Sequence, residues 1–186
     1  MSVLSDSLTQ DTVVSEVTEP EPELQLASGG EPPVPPETIW GESNLPAALI
    51  SDIDHTISFP APTREFMDFS KSLDDIPNNK VIALIKEWYS STEKPTIYFV
   101  TNRAVGWRDV TVRWLVQFFP PAQYRWVLRM RPANDFVSLP WQVKEDHLVK
   151  DIAKKHSIKQ VWEDDDECIA MYRHYRLTVF DAKDTW

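Results

Sequence analysis

Glycine is nearly absent from the part of this chain that can fold. The sequence holds 4 glycines in 186 residues, and Gly29, Gly30 and Gly41 fall within residues 1–45, leaving Gly106 alone beyond them. A P-loop needs two glycines ahead of its Lys-Ser/Thr, and a dinucleotide-binding turn needs three. Neither can be built, so P-loop nucleotide-triphosphate kinases and Rossmann dehydrogenases are excluded. Cysteine is equally scarce. Cys168 stands alone, which rules out an internal disulfide and suits a cytosolic protein. No stretch approaches the roughly 20 apolar residues of a membrane span, so no membrane contact is expected.

Positive charge is missing from the amino-terminal quarter. Residues 1–45 contain nine acids (Asp6, Asp11, Glu16, Glu19, Glu21, Glu23, Glu31, Glu37, Glu42) and neither Lys nor Arg. Pro20, Pro22, Pro32, Pro33, Pro35 and Pro36 lie there too, with Trp40 the one aromatic. Such a segment cannot bury enough apolar surface to offset chain entropy, and it is expected to be a disordered, acidic, Pro-rich leader. It has neither the basic start nor the apolar run of a secretory signal. The remainder, 46–186, carries 20 acids against 19 bases, so the formal net charge of −10 says little about what the folded part binds. That remainder is long enough for one domain with a proper core.

From residue 47 onward, strand-like and helix-like patterns alternate. Ala47–Ser51 is short and apolar. Val81, Leu84, Ile85 and Trp88 fall at helical spacing after Pro77, predicting a helix over about 78–90. Thr96–Val100 is rich in β-branched and aromatic residues. Val110, Trp114 and Phe118 recur every fourth residue until Pro120-Pro121 stops the helix. Trp126–Met130 reads as a third strand, and Leu148, Val149 and Ile152 mark a helix over about 141–155. Val161-Trp162, Ile169 to Tyr172, and Leu177–Phe180 supply a strand, a helix and a last strand. This order predicts an α/β fold, a three-layer Rossmann-like parallel sheet covered on both faces. The 57–77 connection is the long one and is expected to act as a flap. No segment is large enough for a cap domain, so the site should be open to bulky substrates.

Four short stretches carry the chemistry: Asp52-Ile53-Asp54-His55-Thr56, Thr101-Asn102-Arg103, Lys144, and Glu163-Asp164-Asp165-Asp166. Three of them follow predicted strands, and open α/β sheets place their sites at the carboxyl ends of strands. Beyond a strand end, Asp52 and Asp54 can converge on one spot with Asp164 from a neighbouring strand. Oxygen-only ligands suit Mg²⁺. A carboxylate can also attack phosphorus, with a second one moving the proton.

The Asp-Ile-Asp-His-Thr stretch resembles the first motif, Asp-x-Asp-x-Thr, of the haloacid dehalogenase-like (HAD) superfamily. Thr101, Lys144 and the acidic pair at Asp164 extend the resemblance in order. It implies a Mg²⁺-dependent phosphotransferase in which Asp52 is the nucleophile and Asp54 the acid/base. Thr101 and Lys144 would hold the phosphoryl oxygens, and Asp52, Asp54 and Asp164 the metal. Arg64 with Phe66-Met67-Asp68-Phe69, Asp75-Ile76-Pro77-Asn78, Thr101-Asn102-Arg103, Leu128-Arg129-Met130-Arg131-Pro132, Lys144-Glu145 and Met171-Tyr172-Arg173 narrow it further. They are similar to the 3′-phosphatase domain of bacteriophage-type polynucleotide kinases, over about residues 47–182. That likeness implies phosphate binding by Asn102, Arg103 and Arg64, nucleic-acid ends as partners, and a kinase or ligase encoded elsewhere. Location would be the cytoplasm, or that of a host if the chain is phage-encoded. His55 and Asn102 stand where such relatives usually have glycine, and Pro140 replaces an acid before Lys144. The fourth motif is either Glu163-Asp164 or Asp164-Asp165, with Asp164 common to both.

Other residues have blander readings. Asp165, Asp166 and Glu167 suit the start of a helix. His147, His156 and His174 read as surface or packing residues, and Cys168 as buried and inert. Arg125, Arg129 and Arg131 alternate, so Arg129 and Arg131 are expected to meet a nucleic-acid backbone, with a solvated edge as the rival reading. Trp107, Trp126 and Trp141 either pack the core or stack bases. The expected function is a phosphomonoesterase acting on 3′-phosphates of nucleic-acid ends. Its rivals are a phosphatase of nucleotides or other small molecules, and an inactive HAD-like module that binds nucleic acid or protein.

Overall fold

The computed structural model describes residues 44–65, 67–93 and 95–186. The expected leader lies, but for Asn44 and Leu45, outside the described residues, as does Phe66.

At the centre is strand β1 (Ala47–Ser51), four of its five residues buried. A strand with neighbours on both sides and layers on both faces must be apolar throughout, and Ala48-Leu49-Ile50 meets that demand. Chain order then gives a ribbon of β2 (Ser58–Phe59) and β3 (Ile76–Pro77), helix α1 (Asn79–Ser91), β4 (Thr96–Ala104) and α2 (Arg108–Phe118). After these come β5 (Trp126–Arg131), α3 (Pro140–His147), β6 (Ser157–Glu163), α4 (Asp166–His174) and β7 (Val179–Asp181). The five-stranded sheet is ordered β5-β4-β1-β6-β7, and every pairing is parallel. This is the α/β architecture that the alternating pattern predicts.

Side-chain alternation separates the two faces. Leu49, Ile97 and Phe99 join Val81, Ile82 and Ile85 of α1 and Trp114 and Leu115 of α2 in one core. Ala48, Ile50, Tyr98 and Val100 point the other way, onto Leu148, Ile152, Met171 and Tyr172. Neighbours in sequence thus feed opposite cores, which gives three layers. Each large aliphatic side chain fully buried there contributes about 1.5–3 kcal/mol.

Most element ends lie within a residue or two of those predicted, with three informative differences. β4 runs four residues past Val100, so Thr101-Asn102-Arg103 sits in the strand rather than after it. Its pairing with β5 slips between Thr101 and Ala104. The predicted 141–155 helix divides instead: α3 ends at His147 and a wider π turn spans Leu148–Ile152, marked by Ala153 N–H donating to Leu148 O. The 57–77 connection is more ordered than a free flap. It holds the β2–β3 ribbon and a 3₁₀ turn over Phe69–Asp74, and among the described residues no inserted domain covers the carboxyl edge.

Candidate active site

A pocket of about 420 Å³ opens at the carboxyl edge, lined in part by Asp52, Asp54, Thr101, Asn102, Arg103, Lys144 and Asp164. Pro60, Arg64, Met67 and Phe69 of the 57–77 connection form one wall. A regular strand shows only alternate side chains to one side. The slip in β4 lets Thr101, Asn102 and Arg103 all reach the cavity.

β1 stops at Ser51, and the chain turns at once. Ile57 and Ser58 donate their N–H groups to Ile53 O, and His55 takes the left-handed φ of 58°. A non-glycine residue there costs ~1–2 kcal/mol. The turn is braced by Trp186, whose indole N–H donates to His55 O at 3.2 Å. Because the strand has ended, Asp52 and Asp54 send their carboxylates to different partners.

Asp52 is buried and accepts from Lys144 Nζ at 2.8 Å. Lys144, only 2% exposed, also donates to Glu163 Oε2 at 2.6 Å. Glu163 Oε1 accepts the N–H groups of Asp164 and Asp165, so both of its oxygens are engaged. Asp164 Oδ1 accepts the Thr56 hydroxyl at 2.9 Å. Ligand atoms of Asp52, Glu163 and Asp164 lie within 4.8 Å of one another. Burial pushes the Asp52 carboxyl up to about 7; Lys144 opposes the shift, while Glu163 and Asp54 add to it. Burial and then Asp52 push Asp164 up to about 6. For Lys144, burial works against the charge, but Asp52 and Glu163 override it and hold the ammonium well above the ordinary lysine range.

Asp54 faces two guanidiniums. Arg103 grips it with two prongs, Nε to Oδ2 and Nη2 to Oδ1, each at 2.8 Å, and Arg64 Nη2 reaches Oδ1 at 3.4 Å. Behind them, fully buried Asp75 accepts from Arg64 Nε at 2.8 Å and Arg103 Nη2 at 3.2 Å. The Phe69 ring lies 4.9 Å from one guanidinium carbon and 4.8 Å from the other. Trp114 fixes the Asp75 backbone by donating to its carbonyl. The roles of Asp75, Phe69 and Thr56, and the engagement of Glu163 with Lys144, escaped the sequence reading. Asp75 lies within a stretch that carries the family resemblance, but nothing in its spacing shows that it meets Arg103.

The predicted metal set and the observed acid cluster differ in one member. Asp54 is turned to the arginines, and Glu163 takes the third corner beside Asp52 and Asp164. Asp165 caps α4 by accepting from Cys168 N–H. Neither Arg129 nor Arg131 lines the pocket. Arg129 is committed to Asp151, Nε to Oδ2 at 2.7 Å, and Arg131 bridges Asn102 Oδ1 and Ser138 O. Trp107 and Trp126 pack against one core and Trp141 against the other. His147 meets Met130 O and His156 meets the Tyr98 hydroxyl. Burial raises the Cys168 thiol far above its ordinary range.

Residues 46–185 match the family described as polynucleotide kinase PNKP phosphatase domain. Among solved structures, a chain of the Pnkp1/Rnl/Hen1 RNA repair complex is similar to this one, with a TM-score of 0.66 and 23% identity over 75% of this chain. A second structure of the Pnkp1/Rnl/Hen1 complex gives the same values. The chain spans 43% and 47% of those two chains, less than half of either. No curated protein matches it. Among the described residues no helix is long and apolar enough to cross a membrane. A match over nearly the whole described region, on a parallel sheet with its acids at the carboxyl edge, makes this chain a member of the polynucleotide kinase PNKP phosphatase domain family, a HAD-type phosphatase.

Proposed function

We propose that this domain is a Mg²⁺-dependent phosphomonoesterase that removes 3′-phosphates from nucleic-acid ends through an aspartyl-phosphate. The observation that carries the reading is the setting of Asp52, buried at the base of an open pocket with Oδ1 held by Lys144 and two arginines opposite. Asp52 Oδ2 attacks phosphorus, and the bond from phosphorus to the 3′ oxygen breaks. Asp54 gives a proton to that oxygen. Water then attacks the phosphoryl group, Asp54 takes its proton, and inorganic phosphate leaves with Asp52 restored. Lys144 and the Thr101 hydroxyl steady the phosphoryl oxygens, and Asn102 lines their approach.

Arg103 and Arg64 occupy both oxygens of Asp54, so neither faces the leaving group or a water until those contacts loosen. An entering phosphate dianion offers the guanidiniums a second acceptor, and each hydrogen bond drawn from Asp54 frees an oxygen for proton transfer. Asp52 and Asp164 fit a hard divalent cation, since their oxygens converge without His or Cys. Asp54 would help to hold such a cation only with its carboxylate released from the arginines. Bound Mg²⁺ would neutralise the repulsion between Asp52 and an incoming phosphate.

Nucleic-acid ends are favoured over small phosphomonoesters by the family and by a pocket that, among the described residues, has no inserted domain above it. The repair complex to which the similar chain belongs supports RNA ends among the substrates, and a separate kinase or ligase as a partner. The test compares specificity constants for 3′-phosphorylated oligonucleotides, 5′-phosphorylated oligonucleotides and 3′-mononucleotides at several salt concentrations. Two or three backbone contacts give a slope of roughly −1.5 to −2 in log constant against log salt, at about −0.7 per phosphate. Equal or better use of mononucleotides would point to a nucleotidase, and no turnover of any substrate to a binding module.

A further inference from the structure

We infer that Phe136 is a stacking platform for a nucleobase next to the phosphorylated end of the substrate strand. This rests on the reading of the domain as a nucleic-acid 3′-phosphatase, and it adds a specificity residue. The 132–139 segment leaves β5 at the carboxyl edge and returns at Pro140, which lines the catalytic pocket. At its crown Phe136 is 87% exposed and Val137 91% exposed. A phenylalanine ring offered almost entirely to water is unfavourable for the isolated domain, since burying it would remove a large apolar area from solvent.

The crown is held in place. Asp135 Oδ1 accepts the N–H of Ser138 at 3.0 Å and that of Val137 at 3.4 Å, closing a tight turn around Phe136. Arg131 Nη1 donates to Ser138 O at 2.9 Å, and its Nη2 to Asn102 Oδ1 at 3.1 Å. Asn102 is itself a pocket wall. One guanidinium therefore buckles the exposed ring to the place where the phosphate would sit. Arg131 thereby acts on the strand through the loop it positions. An aromatic face at a fixed offset from a phosphate site suits a single strand, because every base has a π-face to lay on it. A small phosphomonoester has nothing to put there.

The test measures kcat/KM for a short 3′-phosphorylated oligonucleotide and for glycerol 2-phosphate, which has no ring to stack, in wild type, Phe136→Ala and Phe136→Trp. The reading is the ratio of the two constants. Phe136→Ala should lower that ratio by ~5-fold or more, mainly through KM for the oligonucleotide, as loss of one base stack requires. Phe136→Trp should restore it. A wild-type preference for the oligonucleotide that survives Phe136→Ala would overturn this inference and leave the phosphatase reading intact. An equal fall for both substrates would also overturn it, as it would mark a structural role. Wild-type enzyme with no preference for the oligonucleotide would overturn both readings.

Discussion

On the Asp54 side of the pocket two carboxylates, Asp54 and Asp75, face two guanidiniums, Arg64 and Arg103. On the Asp52 side three carboxylates, Asp52, Glu163 and Asp164, cluster around Lys144 alone. The first half is balanced and every charge has a partner, so it holds its shape and can exchange one anion for another. The second half is buried and short of positive charge: burial first, and then the neighbouring carboxylates, push its acids toward their protonated forms against the pull of Lys144. A phosphate dianion suits the first, and a divalent cation the second. Both meet where a phosphorus atom would sit between Asp52 and the arginines.

The largest effects should come from the two acids that belong to opposite halves. Asp52→Asn should abolish phosphate release with the fold intact, because an amide cannot form the acyl phosphate. Asp54→Asn should cost ~10²–10⁴ in turnover, the usual worth of a general acid–base. Retention of more than a trace of turnover by Asp52→Asn, once deamidation is excluded by mass spectrometry, would remove the covalent route.

Next comes the anchor of the balanced half. Asp75→Ala would leave two buried guanidiniums with Asp54 as their shared partner, and breaking a buried ion pair costs about 3–5 kcal/mol. Urea denaturation should show a loss of that order, accompanied by weaker phosphate binding. A loss below ~1 kcal/mol would mean that Asp75 is not what holds the arginines.

The unbalanced half should show itself in pH dependence. Asp52 is pushed up to about 7 and Asp164 to about 6, against about 3.9 for an unperturbed aspartate. Between about pH 4 and pH 7 the folded chain therefore holds more protons than the unfolded one, and stability falls as pH rises through that window. Mg²⁺ should restore the loss at about pH 8 and do little at about pH 5, where protons compete for the same oxygens. Thermal melts with EDTA or MgCl₂ at both pH values test this. Equal metal shifts at the two would contradict it, and Asp164→Asn should flatten the response.

The smallest effect is expected from the leader. Deleting residues 1–45 should leave melting temperature and activity on p-nitrophenyl phosphate within error. If its nine acids compete with an anionic substrate, KM for an oligonucleotide should drop at low salt in the truncated chain. Loss of folding on truncation would show instead that the domain needs it.

Local pattern carried the fold a long way. Apolar runs at Ala48-Leu49-Ile50 and Ile97-Tyr98-Phe99-Val100, with helical spacing between them, are statements about burial, and a parallel sheet follows from their alternation. The slip within β4 and the π turn at Leu148–Ile152 are adjustments to packed neighbours, so residue spacing held no trace of them. The candidate site divides in the same way. Asp52, Asp54 and Asp164 were legible because strand ends gather side chains from distant parts of the chain, whereas Lys144, on helix α3, and the role of Thr101 were legible through the family resemblance.

What each of them touches was a matter for tertiary structure alone. A carboxylate's partner depends on which cations the fold brings within about 3 Å, and those come from anywhere in the chain. Thus Asp54 met Arg103 rather than a metal cluster, buried Asp75 tied Arg64 to Arg103, and Glu163 took Lys144. By itself the sequence determined that Asp52, Asp54 and Asp164 sit at the carboxyl edge, because the apolar runs that end beside them are a local pattern. Only the folded chain decided how their charges pair, because electrostatics acts through space and depends on the dielectric that packing creates.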